Sequence, residues 1–374
     1  MSGLKKTLMI WYRSNNFFKR FVAFFIGSPY ILFTCSFKEN IYSAKKRSKR
    51  MKELGSVKNQ TLTFLDMLFY YLFFGYFPST YASYHFELLS FKQRLSFMPS
   101  VEHGLFSKSL NVEGDISILQ NKGKTYEYLK EFFGREQLII KTKDDFQAFA
   151  NFVAKHKKFF YKPTNGICGK GAGLANSDEI DLKEFFDELI SQDSYVIEEL
   201  IVECKELALF HPSSVNTIRI ATFKTKKGTE ILFAGLRCGQ GGSIVDNGGA
   251  DGIFIPINLE TGRLIKYGFD EYGNKFTMHP NTKMVFEGFQ IPRYDELRSF
   301  IIKAADTIPG FRYVGWDIAI TEDKFMLIEG NDWPGHTMLQ GLHKTGFKKE
   351  FREMARTGLI PESFRNKQKE IYNA

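Results

Sequence analysis

The chain has 374 residues, 43% hydrophobic and 25% charged, a composition that suits a folded protein of two or three packed units and excludes a disordered or fibrous one. Its net charge of +9 is concentrated at one end. Residues 1 to 50 hold 11 Lys/Arg against the single acid Glu39, while the other 324 residues carry 40 bases and 41 acids, and so nearly neutral a body argues against nucleic acid as a partner. Cys35, Cys168, Cys204 and Cys238 are widely spaced with no CxxC, which excludes a zinc knuckle and a disulfide framework and predicts reduced thiols.

Residues 1–55 read as a basic, partly apolar arm. Its run Phe21 to Cys35 is shorter than the roughly 20 residues that span a bilayer and is broken by Gly27, Ser28 and Pro29. No cleavage site of the secretory kind follows it, so a cytoplasmic location is predicted. Aromatic residues beside Lys/Arg clusters suit peripheral contact of residues 1–50 with the anionic inner face of a membrane; a solvated arm beside a packed helix is the plainer reading. Residues 56–110 are predicted as a helical domain, with apolar runs between Leu62 and Phe97 interrupted at Gly75 and Pro78.

From residue 111 to 374 helices alternate with β-rich segments, which predicts an α/β or α+β architecture. Helices are expected over 124–133, 143–156 and 182–190. Strands are expected over 158–162, 195–201, 215–223, 230–236, 252–257, 313–320 and 325–330.

The strand KFFYK runs into Lys162-Pro-Thr-Asn-Gly-Ile-Cys-Gly-Lys-Gly-Ala-Gly173. Its glycines free several backbone amides to face one anion, and Lys162 adds a charge anchored on the strand. The spacing matches neither a P-loop nor a dinucleotide fingerprint, so a glycine-rich surface turn is the alternative for the loop by itself. Further on, Glu329 and Asn331 lie two residues apart on FMLIEGN, which puts both on one strand face. Asp317, in the preceding strand YVGWDIAI, is expected opposite Glu329 across a short turn. Two carboxylates and an amide oxygen suit magnesium rather than zinc. A solvated hairpin is the competing reading; Trp316, Ile318, Leu327 and Ile328 oppose it by implying burial on at least one face.

The order FGYFPSTYASYHF, NKGKTYEYL, FYKPTNGICGKGAG, YVIEEL, HPSSVNTIRI, RCGQGGSIVDNGGADG, YVGWDIAI and LIEGN resembles the ATP-grasp superfamily, in its sugar-transfer-associated branch found with cell-surface polysaccharide synthesis. The resemblance covers most of the chain. It implies an ATP-grasp fold, two α+β lobes clasping ATP, with the glycine-loop lobe over about 140–200 and the metal-binding lobe over about 201–374. It further implies Lys162 on the phosphates, with Lys122 or Lys124 as the upstream lysine, and Gly169, Lys170 and Gly171 in the flap over them. Glu198, Glu199, Leu200 and Ile201 correspond to the adenine hinge, and Glu206 to a ribose partner. Asp317, Glu329 and Asn331 match the magnesium positions, for two ions, with manganese as a substitute. Arg219 is expected to stabilise charge in the transition state, and Arg237 and Asn247 to face substrate or the terminal phosphate. For Asn216 a phosphate contact and an ordinary turn contact are both open, and His211 and His336 are read as structural.

The activity so implied is an ADP-forming carboxylate–amine ligase working through an acylphosphate, joining small-molecule or glycan-precursor acids and amines and attaching an amino-acid-like group to a polysaccharide precursor. A kinase on the same scaffold, phosphorylating a sugar hydroxyl, is the alternative. A non-catalytic membrane adaptor is the reading of another class, suggested by the basic N-terminus alone.

Overall fold

The computed structural model describes residues 3–34, 37–165, 171–242, 252–343 and 345–372. Its N-terminal portion is helical: α1 (Gly3–Tyr12), α2 (Phe17–Thr34), α3 (Phe37–Glu53), α4 (Gln60–Phe74), α5 (Pro78–Ser83), α6 (Phe91–Arg94) and α7 (Ser100–Leu110). The Asn59 side chain caps α4 by accepting the Leu62 amide. Gly75 ends that helix at φ 72°, where its amide returns to the Tyr71 carbonyl. Pro78 then occupies the first turn of α5, where a missing N–H costs little. A Cβ at Gly75 would lie 2.8 Å from Cβ of Val101 on α7. Gly75→Ala is therefore expected to lower stability by about 1–3 kcal/mol in urea denaturation, through backbone strain and that clash together; an unchanged midpoint would contradict this junction.

Two antiparallel sheets follow. The segment α8 (Ser117–Gln120), α9 (Lys122–Phe133), β1 (Gln137–Ile140), α10 (Phe146–Lys155), β2 (Lys158–Pro163), β3 (Gly173–Asn176), α11 (Leu182–Gln192) and β4 (Tyr195–Glu199) contains a four-stranded sheet of order β1-β4-β2-β3. Helices α10 and α11 seal it through Phe149, Phe152, Phe186 and Leu189. After α12 (Lys205–Ala208) come β5 (Thr217–Thr225), β6 (Gly228–Cys238), β7 (Ile253–Pro256), β8 (Gly268–Phe269), β9 (Lys275–Phe276), α13 (Tyr294–Thr307), β10 (Tyr313–Ile320) and β11 (Phe325–Asn331). These strands form a seven-stranded sheet of order β11-β10-β5-β6-β7-β8-β9. Helices α14 (His336–Gln340), α15 (Lys348–Thr357) and α16 (Glu362–Tyr372) complete the chain.

Strand alternation divides the large sheet into two buried faces. Ile218, Ile220, Leu236, Trp316 and Ile318 share one core with α9 and α13. Ala221, Phe223, Phe233 and Tyr313 share the other with α7, α15 and α16. The second core also takes Leu8, Met9 and Tyr12 of α1 and Ala23 of α2, so the two basic N-terminal helices rest on α7 and share the core of the large sheet. Both faces being covered, polar residues in the middle of these strands, Arg219, Arg237 and Asp317 among them, are buried and need partners.

Candidate active site

One charged row crosses the second face of the large sheet. Glu329 on β11 is directly opposite Asp317 on β10, and Asp317 is opposite Arg219 on β5. A β-bulge produces this alignment. From Phe325 to Leu327 the hairpin pairs regularly with Ile320 to Ile318, but the next pair is Glu329 with Asp317, leaving Ile328 as the extra residue. Regular pairing would set Ile328 against Asp317 and turn Glu329 to the apolar face beside Trp316. The bulge also carries Asn331 to a place opposite Gly315.

Arg219 grips Asp317 with two nitrogens, Nε to Oδ1 and Nη2 to Oδ2, the latter at 2.8 Å. Arg237 Nη1 reaches Oδ1 at 3.0 Å. Burial by itself would raise the Asp317 carboxyl, but Arg219 and then Arg237 outweigh it and hold the group at about 2. Glu329 is driven the opposite way: burial and then the Asp317 charge push it up, with Lys162, Arg219 and Lys122 offsetting part of the rise. Its neighbour Asn331 donates only weakly, Nδ2 lying 3.5 Å from Oε1, and among the described residues no base forms a direct ion pair with it.

A second cluster belongs to the smaller sheet. Lys162, near the end of β2, pairs with Glu198 of β4 at 2.9 Å. The Glu198 side chain also takes Arg135 Nη2 at 3.1 Å, and Arg135 Nη1 donates to the Leu327 carbonyl at 2.7 Å, linking the two sheets. Burial opposes ionisation of Glu198; Arg135 and then Lys162 overcome this and keep its carboxyl low. Lys122, at the start of α9, feels burial first and then the charges of Glu329, Lys162 and Glu198, with a net lowering. It therefore faces the ground between the clusters. Lys124 instead is exposed and donates to Ser117 Oγ at 2.8 Å.

Two lobes on separate antiparallel sheets, a lysine at the start of a glycine loop on one and a carboxylate pair on the other, set the frame for comparison with known proteins. The profile of the sugar-transfer associated ATP-grasp family matches residues 103–356. The chain belongs to this family. No curated protein matches it in sequence. Solved structures similar to it include the ATP-grasp ligase PsnB complexed with a minimal precursor, at 17% identity and TM-score 0.35, covering 57% of this chain and 51% of that one. The ADP complex of purK, an N5-carboxyaminoimidazole ribonucleotide synthetase, is 12% identical with TM-score 0.44, covering 65% and 53%. D-alanyl-alanine synthetase A from Vibrio cholerae O1 biovar eltor is 12% identical with TM-score 0.41, covering 67% and 66%. The chain thus spans about half the length of the first two.

The remaining expected positions of the ATP-grasp fold fall in several places. Glu199 ends β4 and its carboxylate accepts the Glu136 amide; Leu200 and Ile201 are half-buried in the connection from the small sheet to the large one. Glu206 is exposed on α12. Asn216 is fully buried and braces the turn before β5, its amide nitrogen donating to Glu203 and to the Leu207 and His211 carbonyls. Gly171 is left-handed at φ 74°, while Gly169, Lys170 and Asn247 lie outside the described residues. The start of the glycine loop is tied to α9: Lys122 N donates to the Thr164 carbonyl, and Asn121 Nδ2 to Asn165 Oδ1.

His211 holds Ser214 Oγ at 2.8 Å, and His336 is stacked on His103 at 4.3 Å, where burial lowers it to about 3. Both are packing groups, and His336 is neutral. Arg135 escaped the sequence reading, because a base after the helix-ending Gly134 looks like any surface charge. Its fully buried guanidinium is evident only once Glu198 and the Leu327 carbonyl are beside it.

Magnesium takes oxygen ligands, and the donors on β10 and β11 fit it unequally. Among the described residues no cluster of three His, Cys, Asp or Glu side chains forms. Glu329 is a half-buried carboxylate to which no base among the described residues is paired, the condition a divalent cation relieves; Asn331 adds an amide oxygen beside it. Asp317 already shares both oxygens with its two arginines, and its Oδ2, which takes one of these contacts against two at Oδ1, has the lone pair to join them.

Proposed function

We propose that this protein is an ADP-forming ligase that uses magnesium and ATP to join a carboxylic acid to an amine, in the modification of a cell-surface polysaccharide precursor with an amino-acid-like group. The observation that carries this reading is the half-buried Glu329, held beside Asp317 with no base among the described residues directly paired to it and within electrostatic reach of Lys162, Lys122 and Arg219. Such a surface suits a cation together with a polyphosphate. Membership of the ATP-grasp family and the position of Lys162 before the glycine loop support the same assignment. The polysaccharide context rests on the family alone.

In this reading Glu329 and Asn331, with Asp317, hold magnesium, which when bound supplies positive charge against the phosphate oxygens. Lys162 and Lys122 hold the phosphates from the small-sheet side. Glu198, Glu199, Leu200 and Ile201 line the adenine end, and Gly169, Lys170 and Gly171 are assigned to the phosphates by family resemblance alone. A cavity of about 280 Å³ beside Arg237, walled by Phe254, Phe269, Thr337 and Met338, is the place for the acid. Arg237 is positioned to orient its carboxylate, and Arg219 to balance charge that accumulates as phosphate moves. A carboxylate oxygen of the acid bonds to the terminal phosphorus as the bond to the ADP oxygen breaks. The amine nitrogen then bonds to the acyl carbon, phosphate leaves, and the nitrogen loses a proton. Positioning and charge balance are what such a transfer asks of the protein.

The test is turnover of the purified protein with magnesium-ATP, pooled sugar acids and pooled amino acids, followed by ADP, phosphate and product mass. ADP and phosphate are expected in equal amounts only when acid and amine are both present, with a product lighter than their sum by one water. Phosphate retained on a hydroxyl acceptor, with no need for amine, would replace the ligase by a kinase.

A further inference from the structure

The N-terminal helices carry a surface that the active site does not use. On α4, Leu62, Leu65, Phe69, Leu72 and Phe73 are exposed, from 43% at Phe69 to 73% at Phe73. At 3.6 residues per turn they fall within an arc of roughly 100°, while Met67, Tyr70 and Tyr71 face the interior. The stripe continues onto α6, where exposed Phe91 meets Phe74 with ring centroids 5.9 Å apart. On α2, exposed Phe17, Phe21 and Phe25 form a ladder with ring centroids 6.3 and 4.4 Å apart. Between these helices in sequence, and in contact with both, α3 exposes Lys38, Lys45, Lys46, Lys49, Arg50 and Lys52 against the acids Glu39 and Glu53.

Exposed apolar area on this scale marks an interaction surface, and the charge beside it selects the occupant. A second copy would bring together two segments that each carry +10 over residues 1 to 50, so self-association by this face is opposed by like charge. An anionic lipid surface satisfies both features at once: headgroups attract the bases, and the phenylalanine and leucine side chains enter the boundary between headgroups and acyl chains. Among the described residues no helix is long and apolar enough to cross a membrane, which leaves an orientation in the membrane plane. We infer that α2, α3 and α4 together dock this protein on an anionic lipid surface through their exposed phenylalanines, leucines and lysines. The catalytic sheet would then be held next to the membrane by its own N-terminal helices.

Co-sedimentation of the full chain with vesicles of phosphatidylserine and phosphatidylcholine, against phosphatidylcholine alone, tests this. Binding to the anionic vesicles is expected to be at least about tenfold stronger and to weaken with salt. The triple variant Leu65→Ser, Phe69→Ser, Phe73→Ser and the triple variant Lys45→Glu, Lys46→Glu, Lys49→Glu should each lose about tenfold or more of that binding. All six positions are exposed, so melting temperature and ATP turnover should stay at the wild-type level, which keeps the result separate from the ligase assignment. Wild-type protein that ignores anionic vesicles, or variants that bind as well as wild type, would overturn the inference. So would a solution dimer dispersed by the α4 variant in the absence of vesicle binding, which would assign the face to a second copy.

Discussion

Glu329→Gln is expected to reduce ATP turnover by about a thousandfold or more while leaving the protein at least as stable as wild type. The two effects have one cause. Burial and the Asp317 charge push the Glu329 carboxyl up, which means that its ionised form is held at a cost until a cation arrives. Glutamine keeps the shape and one oxygen acceptor but removes that charge, so the cation-free fold is relieved of repulsion and a cation held as proposed would lose a charged ligand. Steady-state ADP formation and the urea midpoint, measured on the same preparation, check both halves. Turnover within tenfold of wild type would remove Glu329 from the metal site, and a large drop in the midpoint would show that the carboxylate had a partner stabilising it in the resting state.

The residue opposite it should behave in the contrary sense. Asp317→Ala is expected to destabilise the fold by about 3–5 kcal/mol in urea denaturation, because it takes from the buried Arg219 and Arg237 the carboxylate that both guanidiniums hold. Both guanidiniums lie on strands covered on two faces, each side chain 9% exposed or less, and neither can swing to water without opening the second core. Adding Arg219→Met and Arg237→Met to the alanine variant should recover most of the loss, since all three charges are then gone together. A single Asp317→Ala as stable as wild type would contradict the bidentate geometry. Two carboxylates facing each other across one strand pair are thus expected to give stability changes of opposite sign, and the count of arginines beside each is the reason.

Much of the fold was legible locally. The helical N-terminal region, the break at Gly75 and Pro78, and strands over 158–163, 195–199, 313–320 and 325–331 follow from apolar period, capping residues and turn chemistry, all of which act over a few residues. Short β1 and β3, four residues each, carry too little alternation to be recognised, and their pairing depends on β4 and β2. The site was legible in its residue types and only partly in its geometry. Period-2 spacing put Glu329 and Asn331 on one face, but the face itself was decided by the extra Ile328, and a bulge has no local sequence signature here.

What this sequence determined by itself was composition-level and short-range: an α+β chain with a basic helical N-terminus, a lysine leading into glycines, and acids on a buried hairpin. Tertiary structure alone decided which charges neutralise which. Arg219 and Asp317 are 98 positions apart and Arg135 and Glu198 are 63 apart, and electrostatic pairing depends on distance in space and on exclusion of water, neither of which chain separation encodes. The same holds for the exposed stripe on α4: along the chain its apolar residues are one helical run, and only the packing of the other helix face shows which of them were left outside.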